Sequence, residues 1–148
     1  MPSRNGPKPS RSSQGFTFNH AMIYTRDLAP ALRFYKDILG FRLIEQYGHG
    51  YARLAAPRGS GTIALHLLGP GQELAIGGIR LYFEVRDLDG FCRRLEKAGA
   101  KLTSGPKLMP WGWRHAYLDD PDGHEVSVYT AGIKRLRPTV MKTPAPRG

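Results

Sequence analysis

A single cysteine, Cys92, occurs in 148 residues. That excludes an intramolecular disulfide framework and suits a reducing compartment. Cys92 falls inside a helical pattern, where a buried or half-buried structural thiol is expected rather than a nucleophile. No apolar run approaches the roughly 20 residues that a membrane helix needs. The opening stretch MPSRNGPKPSRSSQG is charged and rich in Pro, Ser and Gly, with no apolar segment behind it, which argues against a secretory signal. Cytoplasmic residence is therefore the expectation. GxGxxG, a P-loop, GxSxG and CxxC are all missing, so dinucleotide, phosphate-loop, nucleophile-elbow and thiol-redox chemistry have no motif to stand on. No spacing supports a Ser-His-Asp triad built from Ser127 and His20.

Acid is scarce too, with 12 Asp and Glu against 22 Lys and Arg for a net charge of +10. Position matters more than the total. Arg4, Lys8 and Arg11 sit before residue 16, and Lys134, Arg135, Arg137, Lys142 and Arg147 follow residue 130. The 14 remaining bases face all 12 acids, so the body carries only +2. Residues 1–16 read as a basic disordered arm and 131–148 as a basic, Pro-containing tail. Charge confined to such segments supports weak, salt-sensitive contact with polyanions and argues against nucleic acid as a specific partner. No membrane partner is expected.

The body suits one domain with a real core. Phe18 to Thr25 alternates as a strand, with Ala21, Ile23 and Thr25 on one face and His20, Met22 and Tyr24 on the other. Asp27 is placed to cap a helix carrying Ala31, Phe34, Tyr35 and Ile38 at helical spacing, and Gly40 ends it. Strands follow at Phe41–Tyr47, Tyr51–Ala55 and Thr62–Leu68. Then the order starts again. Ile79–Val85 is a strand with Arg80, Tyr82 and Glu84 on one face; Asp87 caps a helix bearing Leu88, Phe91, Leu95 and Ala98; Gly99 ends it. Strands are expected at Lys101–Leu108, Arg114–Leu118 and Glu125–Tyr129, the last two joined by the turn Asp120-Pro121-Asp122-Gly123.

Arg26-Asp27-Leu28 recurs as Arg86-Asp87-Leu88, 60 residues later, and Gly40 with Leu43 recurs as Gly99 with Leu102. The chain thus reads as an α+β fold of two βαβββ units, at about 17–69 and 78–130. Each helix covers one face of its sheet, and the other face borders a concave space suited to a small molecule.

Three segments, HAMIYTRDLAPALRFYKDILGFRL, FEVRDLDGFCRRLEKAGAKL and PWGWRHAYLDDPDGHEVSVY, resemble the vicinal oxygen chelate superfamily of glyoxalases, bleomycin-resistance proteins and extradiol dioxygenases. The resemblance covers residues 17–130 and implies paired βαβββ units forming a cup-shaped mixed sheet, with a homodimer as the expected assembly. In metalloenzymes of the superfamily, first- and fourth-strand residues hold a divalent cation in the cup. The matching positions here are His20 and His66 in the first unit, and Arg80 and Ser127 in the second. Ser127 stands where a Glu is usual, and its protonated hydroxyl is a poor ligand. Glu125 has the same parity two residues away and is the alternative third ligand or general base. Arg80 is a permanent cation that disfavours a metal and favours an oxyanion or carbonyl.

Two readings stay open at this point. One is a metal-dependent lyase or dioxygenase in which His20, His66 and Glu125 hold Zn, Fe, Mn or Ni while Arg80 orients an oxyanion. The other has no cofactor: a binding protein similar to the bleomycin-resistance members, sequestering a planar or anionic ligand. Tyr24, Tyr82, Arg80, Trp113, Ser127 and Tyr129 are the candidate ligand-binding residues in either case. His49, His115 and His124 are placed at strand ends or turns and are expected to be exposed.

Overall fold

Alternating polarity organises the strands. The computed structural model describes residues 14–131. In it, β1 (His20–Thr25) buries Ile23 and Thr25 and leaves Met22 and Tyr24 exposed, the parity expected from the sequence. The first sheet adds β2 (Arg42–Tyr47), β3 (Tyr51–Ala55) and β4 (Thr62–Leu67) in the order β1-β4-β3-β2, with β1 and β4 parallel. The second contains β5 (Arg80–Glu84), β6 (Leu102–Leu108), β7 (Arg114–Asp119) and β8 (Glu125–Thr130). Its order, β5-β8-β7-β6, repeats the first, and β5 and β8 are parallel. Two mixed four-stranded sheets with few helices make the expected α+β fold. The expected arm lies outside the described residues except for its last three positions, and the expected tail except for Ala131. No helix among the described residues is long and apolar enough to cross a membrane.

The first helix departs from its expected form. α1 (Leu28–Leu32) is capped by Asp27, whose side chain accepts from the Ala29 amide at 3.3 Å. From Arg33 to Ile38 the chain widens into a π-helical turn, and Leu39 N–H donates to Phe34 C=O at 2.9 Å. Phe34 and Tyr35, three and four residues after Ala31, both turn inward, as the helical spacing expects. In the second unit, α2 (Leu88–Lys97) is regular, with Asp87 accepting from the Gly90 amide at 3.0 Å. It buries Leu88, Cys92 and Leu95, while Phe91 lies half-buried under the Arg94 guanidinium.

One core serves both units. Ile23, Leu54 and Leu65 of the first sheet, Phe34 and Tyr35 of the first helix, and Leu95, Leu118 and Val126 of the second unit belong to a single apolar cluster. The Phe41 and Phe83 rings meet edge-on across the unit boundary at 5.2 Å. The Asp120–Gly123 turn, which needs a glycine where φ is 100°, is the polar clasp between the units. Tyr35 Oη donates to Asp120 Oδ2 at 2.7 Å, and the Arg26 amide donates to Asp122 Oδ1 at 3.0 Å. Both helices cover core-facing sides of the sheets, so the opposite faces stay open. Met22, Tyr24 and Tyr47 are exposed on the first of these faces and Tyr82 on the second.

Candidate functional site

Register arranges the open face of the second sheet in rows. Tyr82, Ser127, Tyr117 and Ser104 form one row across β5, β8, β7 and β6; Glu84, Tyr129, His115 and Lys107 form the next; Arg80, Glu125 and Asp119 form the third. Ser127 is therefore a small residue flanked by two tyrosines, with His115 on the diagonal. His115 Nδ1 lies 3.0 Å from Ser127 Oγ, and Trp111 Nε1 donates to His115 Nε2 at 3.3 Å. His115 is 2% exposed and Ser127 0%. The Tyr117 and Tyr129 rings lie nearly parallel to the imidazole at 5.8 and 5.2 Å, and Tyr82 meets it edge-on at 5.8 Å. Trp113 stacks on Tyr129 with 5° between the planes. Burial first, and the Arg80 charge second, lower the pKa of His115 below its ordinary 6.5.

Arg80 spans this face. Its Nε is 3.2 Å from Glu125 Oε1, its Nη1 donates to Tyr82 Oη at 3.3 Å, and its guanidinium carbon sits 5.0 Å from the Tyr117 ring centre. Glu125, expected as a metal ligand or base, is thus neutralised by a cation. A cavity of about 210 Å³ opens beside the pair, lined by Arg80, Tyr117, Glu125, Ser104, Thr103 and Asp119. A larger one of about 600 Å³ lies away from both open faces, against α1, and its lining includes the solvated Arg33, Lys36 and His49.

The first sheet's open face carries the expected histidines. His66 Nδ1 is 2.7 Å from Leu67 C=O, and His20 Nδ1 is 2.7 Å from Asn19 Oδ1. A carbonyl only accepts, so His66 Nδ1 is the protonated nitrogen and Nε2 keeps its lone pair; an Asn19 oxygen sets His20 the same way. Tyr24 and Tyr51 flank the His66 ring at 5.6 and 6.2 Å. The strands are neighbours, as expected, yet the two imidazoles do not converge. His20 pairs with Thr62 and Tyr24 pairs with His66, so the histidines stand four register positions apart, about 13 Å along the sheet. Glu125 lies on the other sheet.

Among the described residues, the three-residue group whose ligand atoms lie within 4.8 Å of one another is Asp120, Asp122 and His124. Its oxygens are already occupied. Asp120 Oδ1 accepts from the Asp122 and His124 amides, Oδ2 from Tyr35 and His124, and Asp122 from Thr25 and Arg26. That donor set describes a clasp. Among the described residues of one chain, neither the cup histidines nor the turn group presents a converging set of free ligand atoms.

His115 and His124 correct their expected exposure. His124 is tied to Asp120, and His115 is interior because β7 runs between two strands and beneath Trp111. The available signal was parity: Ala116 and Leu118 face the core, which puts His115 and Tyr117 on the open face. Arg80 finds its carboxylate on Glu125, across the ladder, rather than on Glu84 of its own strand.

The model of the glyoxalase/bleomycin resistance protein/dioxygenase superfamily matches residues 17–128. A probable lactoylglutathione lyase from Synechocystis is 26% identical, over 78% of this chain and 96% of its own. Glyoxalase I from Saccharomyces cerevisiae is 25% identical over 88% of this chain, which spans about half of that longer protein (48%). Among solved structures, TnmS3, an antibiotic binding protein from a Streptomyces species, superposes with a TM-score of 0.66 at 28% identity, over 78% of this chain and 95% of that one.

Proposed function

Because the chain belongs to the glyoxalase/bleomycin resistance protein/dioxygenase superfamily, we propose that it is a small-molecule binding protein that takes a planar, acceptor-bearing or anionic ligand on its second sheet without a metal ion. The observation that carries this reading is the buried Ser127–His115 pair. It occupies the strand position where the family resemblance calls for a metal-binding carboxylate, under the rings of Tyr82, Tyr117 and Tyr129. Aromatic walls supply stacking area for a flat ligand, and Arg80 supplies its counter-charge. The likeness to an antibiotic binding protein points the same way. Tyr82, Arg80, Trp113, Ser127 and Tyr129 are the proposed contact residues, and Tyr24, on the first sheet, joins them only from a second copy of the chain. Exposed Met22, Tyr24 and Tyr82 on the open faces support a homodimer in which a second copy covers part of each face. A reducing, cytoplasmic setting is proposed from the single buried Cys92.

Metal analysis of protein purified without chelator or a polyhistidine tag tests this. Sub-stoichiometric metal that does not rise on reloading, with an unchanged melting temperature in His20→Ala, is the expected result. Stoichiometric metal restored by reloading would overturn it.

That opposite result belongs to a second reading, a metal-dependent lyase or dioxygenase-like enzyme using His20, His66 and Glu125. One observation favours it: His20 and His66 both have Nδ1 tied to an acceptor, which leaves Nε2 as the open lone pair. The names of the Synechocystis and yeast relatives agree with it. It requires a second subunit to complete the ligand set.

A further inference from the structure

The hydrogen bonds around His115 have a direction. Trp111 Nε1 carries a proton and no lone pair, so it only donates. Its bond to His115 Nε2 fixes that nitrogen as the acceptor. Neutral His115 then holds its proton on Nδ1, and that proton points at Ser127 Oγ, 3.0 Å away. Ser127 accepts from His115 and must send its own proton elsewhere. Among the described residues its hydroxyl donates no hydrogen bond, although Ser127 is wholly buried. A buried donor without a partner is destabilising, and its presence in a folded protein calls for a group that takes the proton.

The neighbour of Ser127 across the β5–β8 ladder reaches the surface. Tyr82 lies beside Ser127 in the row and is 50% exposed. Arg80 ties Tyr82 to Glu125 over the Tyr117 ring, with its side chain 30% exposed. Neither the Arg80 nor the Tyr82 side chain belongs to the buried core, and Tyr82 is the ladder partner of Ser127. Donors in a chain polarise one another, so the last O–H is the strongest.

We propose that Trp111, His115 and Ser127 form a one-way donor relay that makes Ser127 a specificity-determining residue, selecting planar ligands with a carbonyl or phenolate oxygen over those presenting an N–H. The inference rests on the planar-ligand reading and adds the polarity of the contact. Trp111 and His115 are positioning residues. Ser127 touches the ligand once Arg80 and Tyr82 move aside.

Three tricyclic probes of matched shape test it: 9-fluorenone (C=O acceptor), carbazole (N–H donor) and fluorene (neither), titrated into the intact protein. Fluorenone is expected to bind about tenfold more tightly than the other two, the worth of one buried hydrogen bond. In Ser127→Ala the three probes should bind alike. Trp111→Phe frees His115 to take the other tautomer and should also erase the preference, while near-ultraviolet circular dichroism confirms the fold. Imidazole nitrogen NMR supplies a readout independent of any ligand: protonated Nδ1 with bare Nε2 in the native protein, altered in Trp111→Phe. Binding of all three without preference, a preference that survives Ser127→Ala, or a native Nε2–H tautomer overturns the relay alone. Failure of all three to bind overturns the planar-ligand reading as well.

Discussion

Tyr35 and Asp120, 85 residues apart in sequence, share a 2.7 Å hydrogen bond inside the core. The bond fastens the π-helical turn of the first unit to the turn before β8. Removing the phenol leaves a buried carboxylate one donor short. Tyr35→Phe is expected to lower stability by about 1–3 kcal/mol, read from the urea midpoint. No change would show that the clasp contributes nothing.

The same phenol predicts alkaline behaviour. Burial first, then the Asp120 charge and hydrogen bond, raises the Tyr35 pKa far above its ordinary value of 10.0. The unfolded chain therefore releases this proton near pH 10 while the folded chain keeps it, and stability falls as pH rises past that point. Below it the contribution is complete. Melting temperatures between about pH 8 and about pH 11 should fall more steeply for the native protein than for Tyr35→Phe. Parallel curves would contradict the assignment.

His115 predicts the opposite limb. Its lowered pKa means that the unfolded chain takes up a proton near pH 6.5 and the folded chain does not, so stability is lost as pH falls below that value. His115→Gln should flatten this part of the profile. Because Arg80 is the second cause of the shift, Arg80→Ala should move the His115 NMR titration toward 6.5 without reaching it. An unmoved titration would remove Arg80 from the electrostatics of the site.

Arg80 and Glu125 form a half-exposed ion pair, 30% and 45% accessible, of a kind worth under about 1 kcal/mol to stability. Arg80→Ala should leave the melting temperature within a few degrees of the native value and cost about tenfold in affinity for 2-naphthoate, a planar carboxylate. A large thermal loss with unchanged affinity would make the pair structural instead.

Much of this architecture was legible because burial follows parity and the repeat is written in letters. Ile23 and Thr25 against Met22 and Tyr24, and Val126 and Val128 against Glu125 and Tyr129, fall on the faces expected of them. The π-helical turn was not legible. The i, i+3, i+4 spacing of Ala31, Phe34 and Tyr35 already places both rings on the buried face of an ordinary α-helix, so their burial carries no sign of the wider turn. The site was legible by type more than by pairing. Ser127, Arg80 and the tyrosines lie on the open face, yet Arg80's carboxylate partner and the four-position offset of His20 from His66 depend on strand register. A single strand's pattern does not encode register, and it does not show which strand covers the end of another. For that reason His115 was expected at the surface.

Titration of 9-fluorenone, followed by Trp111 and Trp113 fluorescence, into chelator-treated protein and into the same protein reloaded with Zn, Mn or Ni tests metal-free binding most directly. The aromatic face of the second sheet predicts the same affinity in every preparation. Binding that appears only after reloading would contradict it.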